Sequence, residues 1–276
     1  MKFTKIQGAG NDFIVINNFE LKIPVEKLSS LAIKVCERRV SLGADALMVV
    51  DKPTHNGDFK MRFYNADGTV GEMCGNGARC IARYAFENKV AKEFMTIETV
   101  AGNVYATKID NRKYKVKLNN PQNINLDVNI NFNEKIYECS YLELGNPGLP
   151  HAVIKVDKLD KIELLDLAKK VRYYEGFPKG ANVNFYTVTG DNELDILTYE
   201  RGVEGFTLAC GTGSGSTALI SILKGLCVKN KPVSLNTMGG ILSIDIELKN
   251  EEVENLYLIG DTNIIAIGEI MDEDLI

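Results

Sequence analysis

Two Cys-Gly-x-Gly signatures, Cys74-Gly75-Asn76-Gly77 and Cys210-Gly211-Thr212-Gly213, stand 136 positions apart, and the sequence around each repeats in register. Phe59, Met61 and Phe63 alternate before Tyr64-Asn65, which precedes Cys74 by nine to ten residues. Leu194, Ile196 and Thr198 alternate before Tyr199-Glu200, which precedes Cys210 by ten to eleven. Upstream, Gly10-Asn11 precedes the first cysteine by 63 residues and Gly145-Asn146 precedes the second by 64, counted from each Asn. Downstream, Thr99-Val100-Ala101-Gly102 and Thr237-Met238-Gly239-Gly240 begin 25 and 27 residues on. Anchors in register point to a duplicated unit of roughly 120 to 135 residues, within the usual domain range. A chain built this way folds the same pattern twice.

Within each half, period-2 alternation between turn residues predicts short strands. In the first half these fall near 2–7, 12–17, 45–51, 58–64, 94–100, 103–109 and 114–118. A helix near 25–38 follows Pro24, with Leu28, Leu31, Ala32 and Val35 on one face. A second helix is expected near 76–88. The second half repeats the pattern, with strands near 136–144, 151–156, 183–189, 193–200, 233–237, 241–248 and 255–260 and helices near 163–172 and 211–226. The polar, Asn-rich run 119–133, containing Pro121, reads as the connection between halves. Many strands, few helices and no regular βαβ alternation indicate an α+β fold rather than a doubly wound sheet.

Composition narrows the function. A net charge of −5 and scattered Lys and Arg leave no basic stripe for nucleic acid. No apolar run approaches the roughly 20 residues of a membrane span, and the alternating Met1–Ile6 lacks a signal-peptide core. A cytoplasmic location with reduced thiols is therefore expected for the six cysteines, 36, 74, 80, 139, 210 and 227. With His55 and His151 the only histidines, and no Cys-x-x-Cys pair, no metal site is expected.

Each Cys-Gly-x-Gly signature opens a helix. A helix N-terminus leaves about four backbone N–H groups unpaired and carries partial positive charge, so it binds anions and favours a thiolate. The glycines let the backbone approach a ligand closely. Two such loops at equivalent points of a repeat predict two thiols flanking the α-carbon of one carboxylate-bearing substrate. That arrangement suits proton removal from one face and delivery to the other, which inverts the centre. A buried cysteine is more often a small hydrophobe, and that is the reading for Cys36, Cys80, Cys139 and Cys227. The loop after Cys210 superficially resembles a phosphate loop, but no Gly-Lys-Ser/Thr follows. His151 follows the Gly145-Asn146 anchor, and Arg201 follows the Glu200 equivalent of Asn65; both positions favour lining the site.

Gly8-Ala9-Gly10-Asn11-Asp12-Phe13, Tyr64-Asn65-Ala66-Asp67-Gly68, Met73–Arg79, Tyr199-Glu200-Arg201-Gly202 and Leu208–Gly213 together resemble the diaminopimelate epimerase family across essentially the whole chain. The resemblance implies two pseudosymmetric domains, each wrapping strands around a central helix. A last strand near 263–270 would return to the first, giving domains 1–119 with 263–276, and 120–262. It implies cofactor-independent interconversion of LL- and meso-diaminopimelate, in lysine and peptidoglycan synthesis, with Cys74 and Cys210 as the acid/base thiols. The backbone of Gly75-Asn76 and Gly211-Thr212 would hold the reacting carboxylate. Asn11, His151 and Glu200 would position the reacting amino acid or its amine, while Asn65, Asn182 and Arg201 would read the distal end. Members of that family often form homodimers.

The chain departs from the family pattern at Gly145–His151, which is longer than Gly-Asn-Pro-His, at Ala46 after Asp45, and at Phe206. Either Asn146 keeps the usual Asn role or Leu149 occupies its place. Alternatives remain: a racemase of the same mechanism on lanthionine, histidine, proline or hydroxyproline, a phenazine-type isomerase with a carboxylate base, or a binding protein with inert cysteines.

Overall fold

The computed structural model describes residues 1–71, 73–145, 147–271 and 273. The chain forms two compact units, one of residues 1–116 with 260–276, the other of residues 117–259.

The first unit contains β1 (Lys2–Gly8), β2 (Asn11–Asn17), α1 (Asn18–Leu21), α2 (Val25–Cys36), β3 (Ala46–Asp51), β4 (Phe59–Asn65), α3 (Gly75–Glu87), β5 (Phe94–Thr99), β6 (Gly102–Lys108) and most of β7 (Lys113–Leu118). The second contains β8 (Pro121–Phe132), β9 (Lys135–Leu144), β10 (Leu149–Lys155), α4 (Lys161–Arg172), β11 (Asn182–Gly190), β12 (Glu193–Glu200), β13 (Gly205–Phe206), α5 (Gly211–Leu223), β14 (Val233–Thr237), β15 (Gly240–Lys249) and most of β16 (Glu252–Asp261). β17 (Asn263–Glu269) rejoins the first unit, antiparallel to β1.

The duplication is visible strand by strand. In the first unit β1 runs antiparallel to β2, β2 parallel to β3, β3 antiparallel to β4, β4 parallel to β5 and β5 antiparallel to β6. In the second, β9, β10, β11, β12, β14 and β15 repeat that order of directions. The parallel steps each enclose a helix, as a crossover requires.

Register then equates positions. Phe13 lies opposite Ala46, as His151 lies opposite Asn182. Ala46 lies opposite Asn65; Val183 opposite Tyr199 puts Asn182 at the level of Glu200. Asn11, two residues before Phe13, therefore corresponds to Leu149, two before His151.

The outer helices bury one face. Leu28, Leu31, Ala32, Val35 and Cys36 of α2 pack on β3 and β4, and Leu164, Leu167, Ala168 and Val171 of α4 pack on β11 and β12. The inner helices bury nearly every side. α3 touches β1, β2, β3 and β6, and α5 touches β9, β10, β11, β14 and β15. Strands from separated parts of one sheet meet the same helix, so each sheet curls around its own inner helix.

The Asn-rich run differs from its reading as a connection. Pro121–Phe132 is β8, paired antiparallel with β9 through two register shifts. The run does alternate, with Ile124, Leu126, Val128, Ile130 and Phe132 on one face and Ile130 buried in the second unit's core, but the intervening Asn residues and Pro121 read as a turn-rich link.

Candidate active site

In the first unit a two-residue hairpin turn joins β1 to β2. Ala9 and Gly10 take φ of 51° and 82°, the double positive φ that matches the strand twist. The turn places Asn11 at the head of β2. Asn11 donates Nδ2 to Asp45 Oδ2 at 2.5 Å, which turns its Oδ1 to accept from the Cys74 thiol at 3.4 Å. Behind this pair, Arg38 bonds Asp12 at 2.6 Å and Asp45 at 2.9 Å, and Lys5 lies 3.3 Å from Asp12. Burial pushes the Asp12 carboxyl up, but hydrogen bonds and charge from Arg38 and Lys5 outweigh it and hold it below its ordinary range. Asp12 therefore stays ionised, and Asp45, held by Arg38, fixes the orientation of Asn11.

Cys74 is the N-cap of α3, in extended conformation, and Gly75 and Asn76 are buried in the first turn behind it. Gly77 is required by packing: a Cβ there would stand 3.1 Å from Met48 Sδ and 3.3 Å from the Phe63 ring. Asn65, at the end of β4, spends its Nδ2 on Thr69 Oγ1 at 2.9 Å, closing its own turn.

The second unit presents the counterpart. Cys210 is the N-cap of α5, and its sulfur accepts from Gly213 N at 3.4 Å and lies 3.4 Å from Thr212 Oγ1. Its thiol also hydrogen-bonds Glu200, whose carboxylate accepts from Thr207 Oγ1 at 2.6 Å. Burial raises the Glu200 pKa, and the bonds from Thr207 and Cys210 only partly offset it. Asn182 Oδ1 accepts from Arg201 N at 2.9 Å, and its Nδ2 reaches Pro150 O at 3.3 Å. Arg201 Nη1 donates to Lys179 O at 3.0 Å; among the described residues its guanidinium has no carboxylate partner.

His151 has no exposed surface. Asn184 Nδ2 faces its Nδ1 at 3.3 Å, and since an amide nitrogen only donates, Nδ1 accepts and the ring proton sits on Nε2. Among the described residues that Nε2 has no partner. Burial, with a smaller contribution from Arg201, lowers the His151 pKa to about 3, so the ring is neutral.

The expected residues thus fall into two sets. Asn11, Asn65, Cys74, Gly75 and Asn76 belong to the first unit; His151, Asn182, Glu200, Arg201, Cys210, Gly211 and Thr212 belong to the second. Asn11 and Cys74 are in direct contact, as are Glu200 and Cys210, and Asn182 and Arg201. Asn146 lies outside the described residues, but register gives Leu149 the position that Asn11 holds in the first unit. Ala46 likewise takes the position of Asn182, and Phe206 packs edge-on against Tyr199 at 5.5 Å. Sequence reasoning missed Asn184, Thr207, Asp45 and Arg38. Asn184 was findable, because Asn182 and Asn184 share a strand face. The other four cysteines are all buried, whereas Cys74 and Cys210 are partly exposed.

The diaminopimelate epimerase family model matches residues 3–124 and again 144–265, one match to each copy of the duplication. The chain belongs to the diaminopimelate epimerase family. It is 38% identical over 289 residues to a diaminopimelate epimerase of Aquifex aeolicus, covering 100% of this chain and 99% of that one. It is 40% identical over 272 residues to that of Methanocella arvoryzae, covering 93% and 95%. The fold is shared more widely. A phenazine biosynthesis protein of the PhzF family from Bacillus anthracis superposes with a TM-score of 0.73 at 12% identity, covering 99% of each chain. Members of the diaminopimelate epimerase family are isomerases. Among the described residues no helix is long and apolar enough to cross a membrane.

Proposed function

We propose that this chain interconverts LL- and meso-diaminopimelate, with Cys74 and Cys210 acting on opposite faces of one α-carbon. One sulfur, as thiolate, takes the α-proton; the Cα–H bond breaks and its electron pair delocalises into the substrate carboxylate. The other thiol gives its proton to the opposite face and becomes the thiolate. No atom is gained or lost, and the thiol and thiolate exchange roles at each turnover. The forming charge on the carboxylate is met by the first-turn amides of α3 and α5, at Gly75-Asn76 and Gly211-Thr212, which are fixed before the reaction begins. Asn11 steadies the first sulfur and Glu200 the second, while His151 offers its Nε2–H as a donor beside the amino-acid head.

The observation that carries this reading is the paired placement of a partly exposed cysteine as N-cap of a buried, glycine-led helix in each copy of the duplication. Arg201 favours diaminopimelate over a substrate with one carboxylate, because its guanidinium rests on a carbonyl and has a charge to offer. The reading places the enzyme in the cytoplasm, in lysine and peptidoglycan precursor synthesis, with homodimer formation left to a sedimentation measurement. Purified protein given LL-diaminopimelate should yield the meso isomer on chiral chromatography, and proline, hydroxyproline and histidine should not be inverted. Inversion of one of those three, with diaminopimelate untouched, would replace this substrate assignment.

A further inference from the structure

We infer that Arg79 is a positioning residue for Cys74: a buried cation, folded back along α3, that favours the thiolate of that cysteine. Arg79 has 0% exposure and heads the large fully buried side chains among the described residues. Long side chains on a helix lean toward its N-terminus. Arg79 does so, with Nη1 donating to Gly75 O at 3.3 Å and Nη2 to Asn76 Oδ1 at 3.0 Å, while Nε has no partner among the described residues. Its guanidinium therefore lies beside the first turn of the helix that Cys74 caps. Gly8 leaves room for it, since a Cβ there would stand 3.4 Å from Nη2 and 3.1 Å from Cys80 Sγ.

This placement is costly twice over. A cation near a helix N-terminus opposes the helix dipole, and a buried charge without a carboxylate partner loses its hydration unrepaid. Among the described residues Arg79 has no ion pair, and its polar contacts are an amide and a carbonyl oxygen. An anion at the N-cap repays both costs, and Cys74 occupies the N-cap. Burial lowers the Arg79 pKa, and the charges that act against that loss are Cys80, Cys74 and Asp261. Cys80 is a neutral thiol, pushed up to about 12 by its own burial, and Asp261 is exposed. Among the described residues Cys74 is left as the anion Arg79 serves.

Arg83, one turn further along α3, acts on Cys80 and pairs with Glu87 at 2.7 Å; the other charges near Cys74 among the described residues are Asp45, Asp12, Arg38 and Lys5 behind Asn11. The last four neutralise one another. In the second unit the equivalent position is a glycine and not a cation. Gly215, five residues after Cys210 as Arg79 is after Cys74, would meet Leu118 and Leu256 with any added Cβ. Cys210 instead has a carboxylate, Glu200. The duplication therefore gives its two thiols opposite electrostatic settings.

The inference deepens the two-thiol reading and rests on it for meaning, but its test reads the sulfur and not turnover. Full-length protein is alkylated with iodoacetamide over a pH series, and the Cys74 and Cys210 peptides are quantified separately by mass spectrometry. Wild-type Cys74 should reach half-maximal rate below the ordinary thiol value of about 8.5. Arg79→Met should move that midpoint up by one pH unit or more, slowing Cys74 roughly tenfold at neutral pH while the Cys210 midpoint stays put. Arg79→Lys should restore most of the difference. A wild-type midpoint at or above the ordinary value overturns the inference without any variant. So does an unmoved midpoint in folded Arg79→Met, or a parallel shift of both cysteines.

Discussion

Asn184 shows how closely single atoms are specified at this site. Its Oδ1 accepts from Thr198 Oγ1 at 3.0 Å, its Nδ2 donates to Ala152 O at 3.0 Å and faces His151, and a Cβ at Gly213 would collide with it. Gly213 is also the donor to Cys210 Sγ. Gly213→Ala should therefore displace Asn184 or the helix start. We expect about 1–3 kcal/mol lower stability by denaturant melt, with turnover falling further than stability. Unchanged stability and rate would show that the approach is looser than described. Arg201→Ala removes the charge assigned to the proposed distal subsite. kcat/KM for diaminopimelate should drop about 100-fold or more, in line with the ~2–5 kcal/mol cost of truncating one partner of a buried charge pair. The cysteine pair, Glu200 and Arg201 were legible in the sequence because the repeat aligned them. Arg79 was not, since a charged residue in a helix reads as solvated until its burial is seen.

Elements were legible where apolar alternation was strong. The strand 193–200 and the strand 233–237 coincide with β12 and β14, both buried on at least one face. β8 was missed although Ile124, Leu126, Val128, Ile130 and Phe132 alternate, because the Asn residues between them and Pro121 at its start carry the composition of a connection. The four-residue α1 and two-residue β13 carry too few positions for any period to show. The helix expected to run to 226 stops at Leu223, where Lys224 donates its backbone N–H to Ile220 O at 2.9 Å and Gly225 takes φ of 70°. α4 illustrates a boundary set by one side chain: Asp160 Oδ1 accepts from Ile162 N at 2.9 Å and Glu163 N at 3.3 Å. Asp160→Ala should cost about 1 kcal/mol in global stability, read by thermal or denaturant unfolding, with kinetic constants unaltered. A loss confined to activity would contradict a purely capping role.

At the scale of the molecule, duplication supplies the scaffold and divergence supplies the chemistry. Register pairs Asn11 with Leu149, Phe13 with His151, Ala46 with Asn182 and Asn65 with Glu200, so of the polar residues assigned to the site only the cysteine is identical in both copies. His151 has a whole-protein consequence. Its ordinary pKa of 6.5 falls to about 3 in the fold, so between those values the unfolded chain binds a proton that the folded chain does not. Stability is then fully present above pH 6.5 and is lost as pH falls toward 3, by up to about 1.4 kcal/mol per pH unit from this group. His151→Gln should flatten that slope, and an identical slope in the variant would assign the acid sensitivity elsewhere.

The central claim is that two thiols exchange one proton across a single carbon. It is tested most directly by incubating the protein with LL-diaminopimelate in deuterated water, with no pyridoxal phosphate or metal added. Mass and NMR spectra should place one deuterium at the inverted α-carbon of the meso product, delivered by the solvent-exchanged thiol, while the other α-carbon of the first-formed product keeps its protium. Inversion with the original proton retained, or no exchange in a folded and alkylatable enzyme, would contradict it.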